Sequence, residues 1–201
     1  LAAQGRVQRE LLPSENRAVI LDQRSIDEDA VDYRLPAVYL MPFYHGEMGA
    51  AERLRALAQC WPTRLSDMPP AFLPLDASLS IEQRDAVQHA LRSPVSVLTG
   101  GPGTGKTTAV RALIEALELA HKTYALASPT GRAAKRLSQA TGRPASTIHR
   151  LLGFSPGEGF KHRVGNPLPV DMLVVDETSM LDLLLANHLL KALEPGMHLL
   201  L

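Results

Sequence analysis

The chain has 201 residues, 45% of them hydrophobic and 21% charged, with 21 basic and 21 acidic side chains that balance to a formal net charge of zero. That composition excludes an intrinsically disordered chain and supplies enough apolar residues for at least one core. No stretch reaches the roughly 20 apolar residues of a membrane span, and the N-terminal residues lack the layout of a secretory signal.

The single cysteine, Cys60, excludes an internal disulfide and a cysteine-built zinc site, so the expectation is a reduced, cytoplasmic protein with no membrane partner. Residues 1–74 read as a small mixed α/β region that precedes the main domain and carries no catalytic signature. Arg17 to Asp22 and Ala37 to Met41 predict short strands. Pro42 to Trp61 predicts a helix, with Leu54, Leu57 and Ala58 at helical spacing and Pro62 as its stop. Met68 to Pro74 holds three prolines, which disfavour regular structure and mark a domain boundary, leaving 75–201 as the second domain.

Beyond that boundary the pattern alternates between helix and strand, the signature of a parallel sheet covered by helices. Ser80 caps a helix from Ile81 to about Leu91, with Gln83 in its first turn. Val95 to Thr99 is short, β-branched and apolar, and predicts a fully buried strand. Val110, Leu113, Ile114 and Leu117 fall at i, i+3, i+4 and i+7, which makes Lys106 to Ala120 an amphipathic helix. Thr123 to Ala127 predicts a strand, Thr130 to Ala140 and Ala145 to Leu152 predict helices, and Met172 to Asp176 predicts a buried strand ending in acid. Ser155 to Pro169, with three glycines and three prolines, predicts an irregular excursion. The chain opens without a methionine and stops at Leu199, Leu200 and Leu201 inside an apolar run, so a fragment of a longer protein is expected.

Gly100 to Thr107 reads GGPGTGKT and satisfies G-x-x-x-x-G-K-[ST] at every required position, between a buried strand and an amphipathic helix. Small residues there let backbone N–H groups approach phosphate, and the helix start favours negative charge. Gly101, Pro102, Gly103, Thr104, Gly105, Lys106, Thr107 and Thr108 are therefore the predicted nucleotide-binding residues. Lys106 is expected on the β- and γ-phosphates of ATP and Thr107 on Mg²⁺. Asp176 closes an apolar strand and is the second expected Mg²⁺ ligand, through bound water, while Glu177 is expected to act on the attacking water. The amide of Gln83 can accept from and donate to an adenine edge, although a solvated glutamine at a helix start has the same sequence. Leu119 to Gly157 contains no Asp or Glu but holds Lys122, Arg132, Lys135, Arg136, Arg143 and Arg150, a pattern shared by solvated faces and nucleic-acid-binding ones.

The linked motifs LSIEQRDAV (from Leu79), LTGGPGTGKTT (from Leu98), ASPTGRAAKRLS (from Ala127), STIHRLLG (from Ser146) and LVVDETSML (from Leu173) resemble, in order and spacing, those of the RecD-type DNA helicases of superfamily 1. That family includes the exodeoxyribonuclease V alpha subunit and stand-alone relatives. VYLMPFYHGEMGAAERLRAL (from Val38) is similar to the region preceding the motor in the stand-alone class, which favours a stand-alone parent over a subunit of a nuclease–helicase complex. The resemblance implies a P-loop NTPase (RecA-like) fold, truncated here, in a 5′-to-3′ motor on single-stranded DNA that serves repair or recombination. It places Thr130, Arg132 and His149 on the strand, although His149 also reads as a core histidine. It further implies that a γ-phosphate-sensing glutamine and a second motor domain with catalytic arginines belong after Leu201, so the fragment alone is expected neither to hydrolyse ATP well nor to unwind DNA. Two other functions fit the phosphate loop, an AAA-type remodelling ATPase and a non-hydrolysing nucleic-acid-binding module. Gln83 and the TIHR segment weigh against the first, and Lys106, Asp176 and Glu177 against the second.

Overall fold

A computed structural model of the chain describes residues 7–11, 36–69, 79–101 and 103–201, which fall into two compact units divided between Met48 and Gly49. In the first, strand β1 (Val7–Leu11) pairs antiparallel with β2 (Pro36–Leu40), Val7 opposite Leu40 and Leu11 opposite Pro36. The strand expected at Ala37 to Met41 is thus β2, displaced by one residue, and the one expected at Arg17 to Asp22 lies outside the described residues. Helix α1 (Met41–Ala58) follows at once and ends three residues earlier than expected.

The second unit is built on five parallel strands in the order β3 (Val95–Ser96), β9 (His198–Leu200), β8 (Met172–Val175), β4 (Tyr124–Ser128), β5 (Ala145–Thr147). All four residues of β8 are buried, as the continuous apolar run MLVV requires of a central strand covered on both faces. Side chains alternate between two cores with period two. Leu126, Met172, Val174 and Leu200 face one core, with Val87 of α2 (Ile81–Arg92), Leu113 and Leu117 of α3 (Lys106–Leu119) and Leu137 of α4 (Gly131–Thr141). Ala127, Leu173, Val175 and Leu199 face the other, with Ala50 and Leu57 of α1, Ile148 of α5 (Ile148–Leu151) and Leu185 and Leu189 of α6 (Leu183–Lys191).

Helix starts follow the local chemistry. Ser80 and Gln83 form a reciprocal capping box on α2, the Thr130 hydroxyl accepts from Ala133 N–H, and the Asp182 carboxylate accepts from Leu185 N–H.

Three expectations are corrected. The helix expected over Ala145 to Leu152 is strand β5 followed by the short α5, because Thr147 leaves the ladder in an extended conformation and caps the helix by accepting from Arg150 N–H at 3.2 Å. The strand at Val95 is not fully buried: β3 lies at the end of the sheet order, and Val97 is 70% exposed. The ladder nevertheless continues, with Leu98 N–H donating to the Leu201 carbonyl and Leu201 N–H to that of Ser96. Within the irregular excursion, β6 (Phe154–Ser155) and β7 (Gly159–Phe160) form a small hairpin, and Arg163 bridges Asn166.

Residues 63–68 fasten beneath the sheet. The Arg64 guanidinium donates to the Val170 carbonyl at 2.7 Å and to Glu194 at 2.9 Å, Lys122 donates to Asp67 at 2.6 Å, and Thr63 Oγ1 lies 2.8 Å from Nε2 of the buried His198.

Candidate nucleotide and nucleic-acid site

In a parallel sheet every strand delivers its carboxyl end to the same edge, and here three strands deliver chemistry there. Strand β3 leads into the glycine-rich loop, β8 into Asp176 and Glu177, and β4 into Pro129 and Thr130. Lys106, Thr107, Asp176 and Glu177, separated by up to seventy-odd positions in the chain, line one cleft of about 320 Å³. Its apolar walls are Val110, Leu137, Val174 and Leu200, and Thr178 and Ser179 add hydroxyls beside the acids. Leu137, Thr178 and Ser179 have no motif of their own. Only the hydroxyls had a signal, adjacency to the acid pair.

The loop geometry explains its glycines. Gly103 and Gly105 hold φ of 75° and 83°, the left-handed region that disfavours a Cβ. At Gly105 an added Cβ would also come within 2.0 Å of Gln83 Nε2. Lys106 is the first residue of α3, and its ammonium donates to the carbonyls of Gly100 and, at 3.0 Å, Gly101. The Thr104 hydroxyl donates to the Gly101 carbonyl at 3.0 Å. Thr108 is exposed and does not line the cleft, and Pro102 lies outside the described residues. Gln83 also stands outside the cleft wall but against the loop: its side-chain oxygen accepts from Ser80 N–H at 3.0 Å and its amide nitrogen donates to the Thr104 carbonyl at 3.3 Å.

Asp176 is half-buried and tied to β4 through its N–H, which donates to the Ala127 carbonyl at 2.9 Å. Glu177 is exposed and holds φ of 56°, left-handed backbone in a residue with a Cβ, at the start of a 3₁₀ turn over Thr178–Met180. Such a conformation costs on the order of 1–3 kcal/mol, and residues that carry it concentrate at functional sites. The donor set, one threonine hydroxyl and a carboxylate across a phosphate loop, is the hard-oxygen chemistry that suits Mg²⁺ on nucleotide phosphates.

Thr130 and Arg132 lie on the same sheet edge, at the start of α4, with Arg132 exposed and Thr130 half-buried. His149 is separate from them on α5. It is exposed, not a core histidine, and its ring meets those of Phe154 and Phe160 at centroid distances of 5.6 and 5.8 Å. Phe160 in turn stacks at 4.5 Å on His188, whose imidazole is held below its ordinary pKa by partial burial and by the Lys191 charge.

Comparison with known proteins places this geometry in a family. The profile of an AAA domain family, AAA_19, matches residues 83–201. The ATP-dependent RecD2 DNA helicase of Deinococcus radiodurans is 40% identical over 166 residues, 82% of this chain and 23% of that protein. The RecBCD enzyme subunit RecD of Mycobacterium tuberculosis is 46% identical over 143 residues, 60% of this chain and 25% of that one. The RecD subunit of Haemophilus influenzae is 39% identical over 144 residues, 59% of this chain and 22% of the relative. The chain therefore spans about a quarter of the length of these relatives. With its phosphate-loop pattern, its acid pair and its five parallel strands, the chain belongs to the AAA domain family, and its relatives within that comparison are RecD-type proteins.

Proposed function

We propose that this chain is the ATP-binding part of a motor that uses ATP hydrolysis to move 5′ to 3′ along single-stranded DNA in repair or recombination. The observation that carries the proposal is the convergence of Lys106, Thr107, Asp176 and Glu177 on one cleft, beside the helix start that holds Thr130 and Arg132. Lys106 exchanges its loop carbonyls for the β- and γ-phosphates, and the backbone N–H groups of 103–107 complete the cradle. Thr107, and Asp176 through bound water, would hold Mg²⁺, which would supply positive charge against the phosphoryl oxygens. Glu177 orients the attacking water and accepts its proton. Gln83 selects adenine from a position against the loop, where its hold on the Thr104 carbonyl joins base recognition to loop shape.

Thr130, Arg132 and His149 bind the strand without reading its sequence. A stand-alone parent is favoured because the match to the RecD2 helicase covers 82% of this chain, against 60% for the RecD subunit of M. tuberculosis. Among the described residues no helix is long and apolar enough to cross a membrane, and a cytoplasmic location is part of the proposal.

The test is MgATP turnover by the full-length protein with and without single-stranded DNA. The expected result is strong stimulation by DNA, with Lys106→Ala lowering turnover by at least about 10²-fold. Turnover indifferent to DNA points instead to a remodelling ATPase, and competition between matched DNA and RNA strands separates a DNA motor from an RNA motor.

A further inference from the structure

Strand β4 ends beside the strand that carries the acid pair. Ala127 of β4 stands opposite Val175 of β8, and Asp176 N–H continues that ladder by donating to the Ala127 carbonyl at 2.9 Å. One position further along, Ser128 is set beside Asp176. Leu126 and Val174, two positions back and paired with each other, face the core beneath the nucleotide cleft, so the period of two turns Ser128 and Asp176 to that same face. On its other side Ser128 stands opposite Thr147 of β5.

Ser128 is 0% exposed, and its hydroxyl makes no hydrogen bond. Buried hydroxyls are satisfied almost throughout folded proteins, because an unpaired one has lost its hydration with nothing in return. Thr147 is the weaker of the two neighbouring acceptors, and its oxygen already accepts from Arg150 N–H at 3.2 Å. The stronger is the Asp176 carboxylate, which accepts no hydrogen bond among the described residues. Neighbouring strands lie about 4.8 Å apart, so a change of staggered rotamer in these two short side chains brings hydroxyl and carboxylate together. A carboxylate that serves a metal ion is itself held by a hydrogen-bond donor, which fixes the direction in which its other oxygen is presented.

We propose that Ser128 is a positioning residue for the nucleotide-bound metal: its hydroxyl donates to one Asp176 oxygen and keeps the other turned into the cleft, toward the water that carries Mg²⁺. The proposal rests on the MgATP reading above and deepens it with a residue that touches neither nucleotide nor strand.

The experiment measures how far Mg²⁺ strengthens binding of a fluorescent, non-hydrolysable ATP analogue to the full-length protein, as the ratio of its affinities in Mg²⁺ and in EDTA. In Ser128→Ala that ratio is expected to fall roughly ten-fold, with the affinity in EDTA unchanged. Ser96→Ala is the control. Ser96 also buries an unpaired hydroxyl, but its ladder partner is Leu200, whose side chain offers no acceptor. Its ratio is expected to match that of the unmodified protein. Without nucleotide, both variants are expected to melt no lower than the unmodified protein, because each removes an unpaired polar group. In Asp176→Ala the ratio is expected to be low already, and adding Ser128→Ala is expected to change nothing further. An undiminished ratio in Ser128→Ala overturns the proposal, as does an equal fall in Ser96→Ala or a further fall in the double variant. A melting temperature several degrees lower in Ser128→Ala overturns it as well, by showing that the hydroxyl serves the fold. If Mg²⁺ does not strengthen binding to the unmodified protein, the MgATP reading itself fails, an outcome distinct from the others.

Discussion

Gly105 meets two constraints at once, a φ of 83° and the amide of Gln83 pressed against the space a Cβ would occupy. Gly105→Ala should therefore do more than strain a turn. The methyl group forces Gln83 off the Thr104 carbonyl and opens the capping box that its side-chain oxygen completes. We expect a loss of about 1–3 kcal/mol in urea unfolding together with weaker ATP binding. In the double variant Gly105→Ala, Gln83→Ala part of the stability loss should be recovered, because the clash is gone while the left-handed strain persists. Additive effects in the double-mutant cycle would show that the two residues do not interact. The motif alone identified Gly105 as part of a phosphate loop. It did not show that Gln83, which we propose reads adenine, is packed on that loop, since the contact joins positions 21 residues apart through the capping of a helix.

Strand β9 carries a fully buried histidine, His198, with Nδ1 3.2 Å from the Ala90 carbonyl and Nε2 2.8 Å from Thr63 Oγ1. Burial lowers its pKa, more than the hydrogen bond to Ala90 raises it. The folded state therefore binds the proton more weakly than the unfolded state does. The stability this contributes is present above the unfolded pKa of about 6.5 and is lost as pH falls through the lower folded value. Unfolding free energy measured from pH 7.5 to 5 should decline toward acid, and His198→Gln should flatten that slope at some cost in stability at pH 7.5. An unchanged slope in the variant would assign the acid sensitivity elsewhere, His188 being the next candidate because its pKa is lowered too. On α3 and β4, Glu118 accepts from Arg143 at 2.7 and 2.8 Å and from the Tyr124 hydroxyl at 2.6 Å, which brings its carboxyl down to about 2, while burial first and the bond to Glu118 second push Tyr124 up to about 12. Both partners of the Glu118–Arg143 ion pair are exposed to solvent that screens them, so its contribution to stability is small.

For the molecule as a whole, we propose residues 1–74 as the region preceding the motor and 75–201 as the first motor domain. The proposed motor domain leans on the residues just before it: Leu57 and Leu65 are 2% and 3% exposed, and Arg64 and Thr63 hydrogen-bond to Val170 and His198. Removing residues 1–48 should leave the thermal midpoint of 49–201 within a few degrees, whereas a start at residue 70 should remove on the order of 5 kcal/mol, comparable to the stability of a whole domain. Equal midpoints for the two shortened proteins would disprove the dependence.

Much of this architecture was legible in the sequence because it is local. Helix α3 followed from 3.6-residue spacing, β8 from its unbroken apolar run, and the phosphate loop from a motif whose glycines answer to backbone geometry within a few residues. Strand β5 was misread because Ala145 to Thr147 suits either conformation and becomes a strand only by hydrogen bonding to β4. The exposure of Val97 and the burial of His198 were equally hidden, since the order of strands in a sheet is set by long-range packing. The sequence by itself determined the residue types available to this protein: a glycine-rich loop with the phosphate-loop pattern, an acid pair at the end of an apolar strand, and a basic segment. Only the tertiary structure decided that Glu177 borders both the cleft lined by Lys106 and Asp176 and a second one lined by Arg132 and Arg136, because proximity between residues of α4 and those following β8 is a consequence of where parallel strands end.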